Sequence, residues 1–284
     1  GSSLEYMERA GHGVAAIATD YDPTSVVLLV GPGNNGGDAF AAGIALLERD
    51  VSVSAYRLYD RLSPLAEQFE AAFLSRGGEL IESLDAIECD LIIDGLFGSG
   101  GRIDLDDDAR AAIASTLECG VPVIAIDIPS GVDSATGEVA TPAICASETA
   151  ALGMPKIGAF LGDGYAHIGC LSLVDFGLSA RFIDETEATA FLFDEKAVPD
   201  LLPPVARTRH KYEAGYLLCF AGSHAMPGAA TLATAAALRS GAGIVRLFSD
   251  EEVHGLLPEV LVSERGAFSR ELERGSALLV GPGL

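Results

Sequence analysis

Three groups of oxygen-bearing side chains follow three apolar runs, and together they could hold a hard cation and move a proton. Asn34, Asn35, Gly36, Gly37 and Asp38 follow Val26–Val30. Asp94 follows Cys89–Ile93 and precedes a glycine loop made of Gly98, Ser99, Gly100, Gly101, Arg102, Ile103 and Asp104. Asp127 follows Val121–Ile126 and leads into Ile128, Pro129, Ser130 and Gly131. An isolated aspartate in such a place is as often a cap or turn former. Three clusters at one sheet edge are better explained by a ligand, because open α/β sheets bind beyond the carboxyl ends of their strands. Oxygens from Asn35, Asp94 and Ser130, with loop carbonyls, suit a hard cation and not a soft metal. Asp127 can then serve as a general acid or base if burial and neighbours tune it, with Lys156 the alternative for that role. The glycine turn after Val30 also offers backbone N–H groups and a helix N-terminus to an anion. Gly31, Gly33 and Gly36 match G-x-G-x-x-G. The usual dinucleotide reading fits badly, since Asp38 is expected in the first helical turn, where it would repel a pyrophosphate. The acid expected after the next strand is also missing, for Val51–Tyr56 runs into Arg57, Leu58 and Tyr59.

The elements that must position these residues alternate along the chain. Predicted strands are Val26–Val30, Val51–Tyr56, Cys89–Ile93, Val121–Ile126 and Cys170–Asp175, and predicted helices are Asp38–Leu47, Pro64–Arg76 and Asp107–Glu118. Ser63, Pro64 and Gly77 mark the start and stop of the second helix. The strands are continuously apolar, which indicates a mostly parallel sheet covered on both faces, an α/β three-layer architecture. A proline-rich linker over 194–207 separates residues 1–193 from a second pattern over 208–284. There, strands are predicted at Gly215–Phe220, Ile244–Phe248 and Ala277–Val280, with a helix at Ala229–Ser240. The glycine loop Gly281–Leu284 should open into another helix, so this second domain is expected to be a partial one.

The chain has 284 residues, nearly half of them apolar, and a formal net charge of −23. That charge disfavours nucleic acid and anionic membranes as partners. Its three lysines, against many acids in loops, suggest an acidic surface of halophilic composition. No apolar run reaches membrane-span length and no signal segment is expected. The five cysteines are dispersed and read as buried thiols of a reducing cytoplasm, not as disulfides or a zinc site. The histidines are scattered and add little.

The segments GPGNNGGDAF, DGLFGSG, AIDIPSGVDSATGEV and TAALGMPKIGAFLGDG resemble the NAD(P)H-hydrate epimerase domain. The later HKYEAGYLLCFAGS, MPGAATLATAAALRSGAGIVRL and terminal GPGL resemble the opening of the ADP/ATP-dependent NAD(P)H-hydrate dehydratase domain. Together they are similar to the bifunctional nicotinamide nucleotide repair family. The resemblance implies a three-layer Rossmann-like domain followed by part of a ribokinase-like one. It implies that Asn34–Asp38, Gly98–Asp104 and Asp127 bind hydrated NADH or NADPH, that Asn35, Asp94 and Ser130 hold K+, and that Ala229 lies near the hydrate in the second domain. It implies epimerisation of the (6R)- and (6S)-hydrates, a cytoplasmic homodimer formed through the epimerase domain, and, for the complete protein, dehydration using ADP or ATP with Mg2+. Two departures stand out. The helix that usually precedes the MERAG-like segment is nearly absent, and so is the nucleotide-binding half of the dehydratase. The chain alone is therefore expected to perform no dehydration, with its second segment the less stable. The competing reading is a catalytically inactive dimerising or binding module of the same fold.

Overall fold

The computed structural model describes residues 2–84, 88–100, 103–186, 188, 190–193, 195–202 and 206–284. It divides into two units, Gly1–Phe191 and Leu192–Leu284.

In the first unit a helix, α1 (Ser3–Thr19), opens the chain. Ser2 caps it by accepting from the Glu5 N–H, and Glu5 answers by accepting from the Ser2 N–H. This capping box, with Met7, Ala10, Val14, Ala15 and Ala18 buried along one face, makes the segment helical, an element beyond those predicted above. There follow β1 (Ser25–Val30), α2 (Asn34–Leu47), β2 (Ser52–Arg57), α3 (Pro64–Ser75), β3 (Glu79–Ile81), β4 (Leu91–Gly95), α4 (Asp107–Cys119), β5 (Val123–Ile126), β6 (Glu148–Leu152) and β7 (Cys170–Val174). The sheet order is β3-β2-β1-β4-β5-β6-β7, and all pairings are parallel. Apolar side chains of β1 and β4 go alternately to two cores. Leu28 and Ile93 join α1 and α2 on one face, and Leu29 and Ile92 join α4 on the other. Both sheet faces are thus covered, as continuously apolar strands require.

Two elements differ from the sequence expectation near the site. Helix α2 begins at Asn34, not Asp38, with Gly33 as its N-cap. The glycines explain this, because they let the first turn press against its surroundings. A Cβ on Gly36 would lie 2.2 Å from the Gly31 carbonyl oxygen, and one on Gly37 would lie 2.6 Å from the Met7 sulfur. Strand β6 was not predicted; its sequence, ETAAL, carries little apolar bulk, yet Thr149, Ala150 and Ala151 are fully buried between β5 and β7.

Two short helices, α5 (Ala180–Glu185) and α6 (Val198–Leu201), precede the second sheet. That sheet consists of β8 (Tyr216–Phe220), β9 (Ile244–Phe248), β10 (Leu261–Ser263) and β11 (Ala277–Val280), in the parallel order β10-β9-β8-β11. Helix α7 (Pro227–Arg239) links β8 to β9. Its start differs by two residues from the expected Ala229, since Pro227 is well suited to a first helical position.

Candidate active site

At the carboxyl edge of the first sheet, the ends of β1, β4, β5 and β6 surround a cavity of about 460 Å³. Asn34, Asn35, Asp38, Gly98, Ser99, Gly100, Asp127 and Lys156 all line it. The three sequence clusters therefore converge, because parallel strands deliver all their carboxyl ends to one edge.

Asp127 stands where β5 ends, with φ +70°. This left-handed conformation is costly for most side chains and least so for Asn and Asp. Its N–H donates to the Ala150 carbonyl of β6 at 2.8 Å, which fixes the turn. One carboxylate oxygen, Oδ2, accepts from the Ser99 N–H at 3.1 Å, and the other accepts from Lys156 Nζ. Lys156 also donates to the carbonyls of Leu152 (3.1 Å) and Met154 (3.0 Å). All three ammonium hydrogens thus have oxygen partners. Lys156 positions and charges the site, while the Asp127 carboxylate keeps accepting capacity for a ligand. Sequence reading had Lys156 only as an alternative to Asp127. The structure makes them a pair, and the available signal was one of three lysines standing in a strand-to-loop motif.

Asp38 is 8 % exposed. Burial, followed by the nearby Asp127 charge, raises its carboxyl to about 8. The expected repulsion of a pyrophosphate by Asp38 is corrected on two counts. Asp38 lies in the second helical turn, and at neutral pH it carries a proton.

Behind the cavity lies a fully buried carboxylate, Asp94. Ser130 Oγ (2.7 Å) and Leu96 N–H (3.2 Å) donate to its Oδ1, and Ser130 N–H (2.8 Å) donates to its Oδ2. These partners are all neutral. Burial pushes Asp94 up to about 6 although the hydrogen bonds pull it down. Asn35 donates its Nδ2 to the Ile126 carbonyl at 3.3 Å, and its Oδ1 faces Gly98, where a Cβ would lie 2.9 Å away. Gly98 is thus glycine because the amide needs that space. Ser130 Oγ also accepts from the Phe97 N–H at 3.0 Å. Asn35, Asp94 and Ser130 come from neighbouring element ends, the start of α2, the end of β4 and the loop after β5.

The other residues singled out in the sequence lie elsewhere. Gly36 and Gly37 are buried in α2 and shape its packing. Ile103 and the exposed Asp104 are beyond the cavity lining, and Gly101 and Arg102 fall outside the described residues. Ala229 belongs to the second unit, in the first turn of α7, where its Cβ packs against Gly283.

The chain belongs to the family described as YjeF-related protein N-terminus, whose profile matches residues 3–158. A second profile, described as NAD(P)H-hydrate dehydratase, matches residues 217–284. Among curated relatives, a protein of Thermosynechococcus vestitus is 31% identical over 98% of this chain and 59% of its own length. One from Mycobacterium tuberculosis is 37% identical over 91% of this chain and 52% of its own. One from Gloeobacter violaceus is 35% identical over 98% and 60%. All three are named bifunctional NAD(P)H-hydrate repair enzymes, and the chain spans little more than half of their length. The crystal structure of yeast ynu0 has the same fold, with a TM-score of 0.51 at 20% identity over 57% of this chain and 76% of that one. No helix among the described residues is long and apolar enough to cross a membrane.

Proposed function

We propose that the cavity binds hydrated NADH or NADPH and interconverts the (6R) and (6S) forms. The observation that carries this reading is the Asp127 carboxylate, oriented by Lys156 and the Ser99 N–H, facing a cavity bordered by Asn34–Asp38 and Gly98–Gly100. The two hydrates differ at one hydroxyl-bearing ring carbon. Protonation of that hydroxyl lets it leave as water while the ring nitrogen's lone pair forms an iminium cation. Water then adds to the opposite face and loses its proton. Asp127 in its protonated form gives the departing hydroxyl its proton, the carboxylate so formed stabilises the cationic ring and takes the proton back from the incoming water, and the neutral Asp38 is a hydrogen-bond donor at the same wall.

A potassium ion fits the oxygens of Asn35, Asp94 and Ser130, because among the described residues the buried Asp94 carboxylate has only neutral hydrogen-bond partners and a monovalent cation would supply the missing charge. When bound, it contributes electrostatic balance and order to the loops at Phe97 and Ser130. The chain's own residues carry the proton transfers. In the complete protein, the second unit belongs to a domain that dehydrates the (6S)-hydrate with ADP or ATP and Mg2+. A cytoplasmic homodimer formed through the first unit completes the proposal.

The direct test mixes purified chain with a single hydrate epimer and follows the other by chromatography. Rapid equilibration is expected. An epimer ratio that moves no faster than in buffer would remove the proposal.

A further inference from the structure

A dinucleotide is two nucleotides long, and the Asp127 cavity of about 460 Å³ is only part of the groove at this sheet edge. A second cleft of about 550 Å³ continues from the first and shares Pro32 and Phe97 with it. It is formed where β2 runs into α3, with Tyr59, Arg61 and Ser63 among its walls. Since β2 and β4 flank β1 on opposite sides, the second cleft lies across β1 from the ends of β4 and β5. In sheets of this order a dinucleotide straddles that reversal point. Its adenosine ribose sits at the end of the strand next to β1, where an acid reads the 2′-hydroxyl or an arginine accommodates a 2′-phosphate.

The residues at the end of β2 fit the second alternative. Among the described residues no acid lines that cleft, and the nearby Asp60 is exposed and paired with Arg57. Arg57 is taken by Glu70 at 3.1 Å and Asp60 at 3.5 Å, whereas Arg61 is exposed and forms no ion pair among the described residues. Arg61 stands in the wall of this cleft, which places a guanidinium where a phosphate of the second nucleotide would lie. Tyr59 and Phe97 are both half-buried, so each keeps a ring face for stacking. The Tyr59 hydroxyl donates to Asp106 Oδ2 at 2.6 Å, which holds its ring in place. Ser63 Oγ donates to Asn34 Oδ1 at 3.0 Å and ties this cleft to the start of α2.

We propose that the cleft between Tyr59, Arg61 and Phe97 is the subsite for the adenosine end of the substrate, and that Arg61 recognises a 2′-phosphate, favouring the hydrate of NADPH over that of NADH. This rests on the reading of the Asp127 cavity as the hydrated-ring site.

The test compares the wild-type chain with Arg61→Glu, an exposed substitution that leaves the core untouched. The probes are adenosine 2′,5′-bisphosphate and adenosine 5′-monophosphate in titration calorimetry, and the two hydrates in the epimer assay. Wild type is expected to bind the bisphosphate about tenfold more tightly than the monophosphate, the worth of one charge-assisted phosphate contact. Arg61→Glu should erase that preference. It should also raise KM for the NADPH hydrate about tenfold with kcat unchanged, and leave the NADH hydrate nearly unaffected, because only the remote binding contact is lost. Equal affinities for the two probes, or equal KM values in wild type and variant, overturn the subsite while leaving the epimerase reading intact. Arg61-dependent binding of the bisphosphate without any epimer interconversion does the reverse, supporting the nucleotide subsite and removing the epimerase reading.

Discussion

Asp127 combines a left-handed backbone with an ion-paired side chain, and the two properties can be separated by substitution. Asparagine tolerates φ +70° and nearly matches the shape, so Asp127→Asn should fold normally. It should nevertheless lose epimerase turnover by ~10²–10⁴-fold, the usual worth of a positioned proton-transfer group. Retention of wild-type turnover would place proton transfer at another residue. Asp38 makes a different prediction, about pH. Its carboxyl moves from 3.8 in the unfolded chain to about 8 when folded. A raised acid pKa means that the folded state holds the proton more tightly, so this stabilisation is complete below about pH 4 and disappears as pH rises to about 8. Asp38→Asn, which keeps the neutral form at every pH, should therefore melt above the parent at pH 9 and converge with it toward pH 4. The separation should open as pH rises from about 4 to about 8 and be largest above that. Parallel melting curves across that range would refute the buried, neutral Asp38.

The elements depend on close approaches that single glycines permit. A Cβ on Gly31 would fall 1.6 Å from the Leu96 carbonyl oxygen, so the ends of β1 and β4 meet there with no room for a side chain. Gly31→Ala should cost about 2 kcal/mol or more, as overpacking does, seen as a lower urea midpoint with an unchanged slope. The same junction positions Asp94. Potassium chloride should raise the melting temperature more than choline chloride of equal strength, and Asp94→Asn should abolish the difference. An identical response of wild type to both salts would argue against a cation among Asn35, Asp94 and Ser130. Much of this arrangement was legible in the sequence. Apolar runs ending in Asp94 and Asp127 mark the strands, and parallel pairing then brings their ends together. The start of α2 was not legible, because glycine pairs read as a turn until the Gly31 carbonyl and Met7 packed against them are known. Strand β6 was hidden in ETAAL, where the sheet's interior selects small residues over the bulky ones that announce a strand. The engagement of Lys156 with Asp127 spans 29 residues, and nothing local in either segment points to it.

Across the whole molecule the formal charge of −23 sets a condition on stability. Close acids such as Asp106, Asp107 and Asp108 repel one another most at low ionic strength, where the Debye length reaches ~30 Å at 0.01 M. Raising salt toward 1 M should therefore increase the melting temperature even with choline as the cation, and a flat response would dismiss the acidic surface as a factor. The two units should also differ in amide exchange. Strands β4 and β5 are fully buried, whereas Leu261 and Val262 of β10 and Leu278 and Val280 of β11 are exposed, so β10 and β11 should exchange faster. Slower exchange in the second sheet would contradict that ranking. The first sheet's strand order has one more consequence. It puts the end of β2 and the end of β5 on opposite sides of β1, so the proposed selection of the substrate and the proposed reaction on its ring fall to separate stretches of chain. Changes at Arg61 and at Asp127 should then combine as independent factors in kcat/KM for the NADPH hydrate, the first through KM and the second through kcat. If Arg61 reads the 2′-phosphate as proposed, preference between the phosphorylated and unphosphorylated substrate can be redesigned while the chemistry stays as it is.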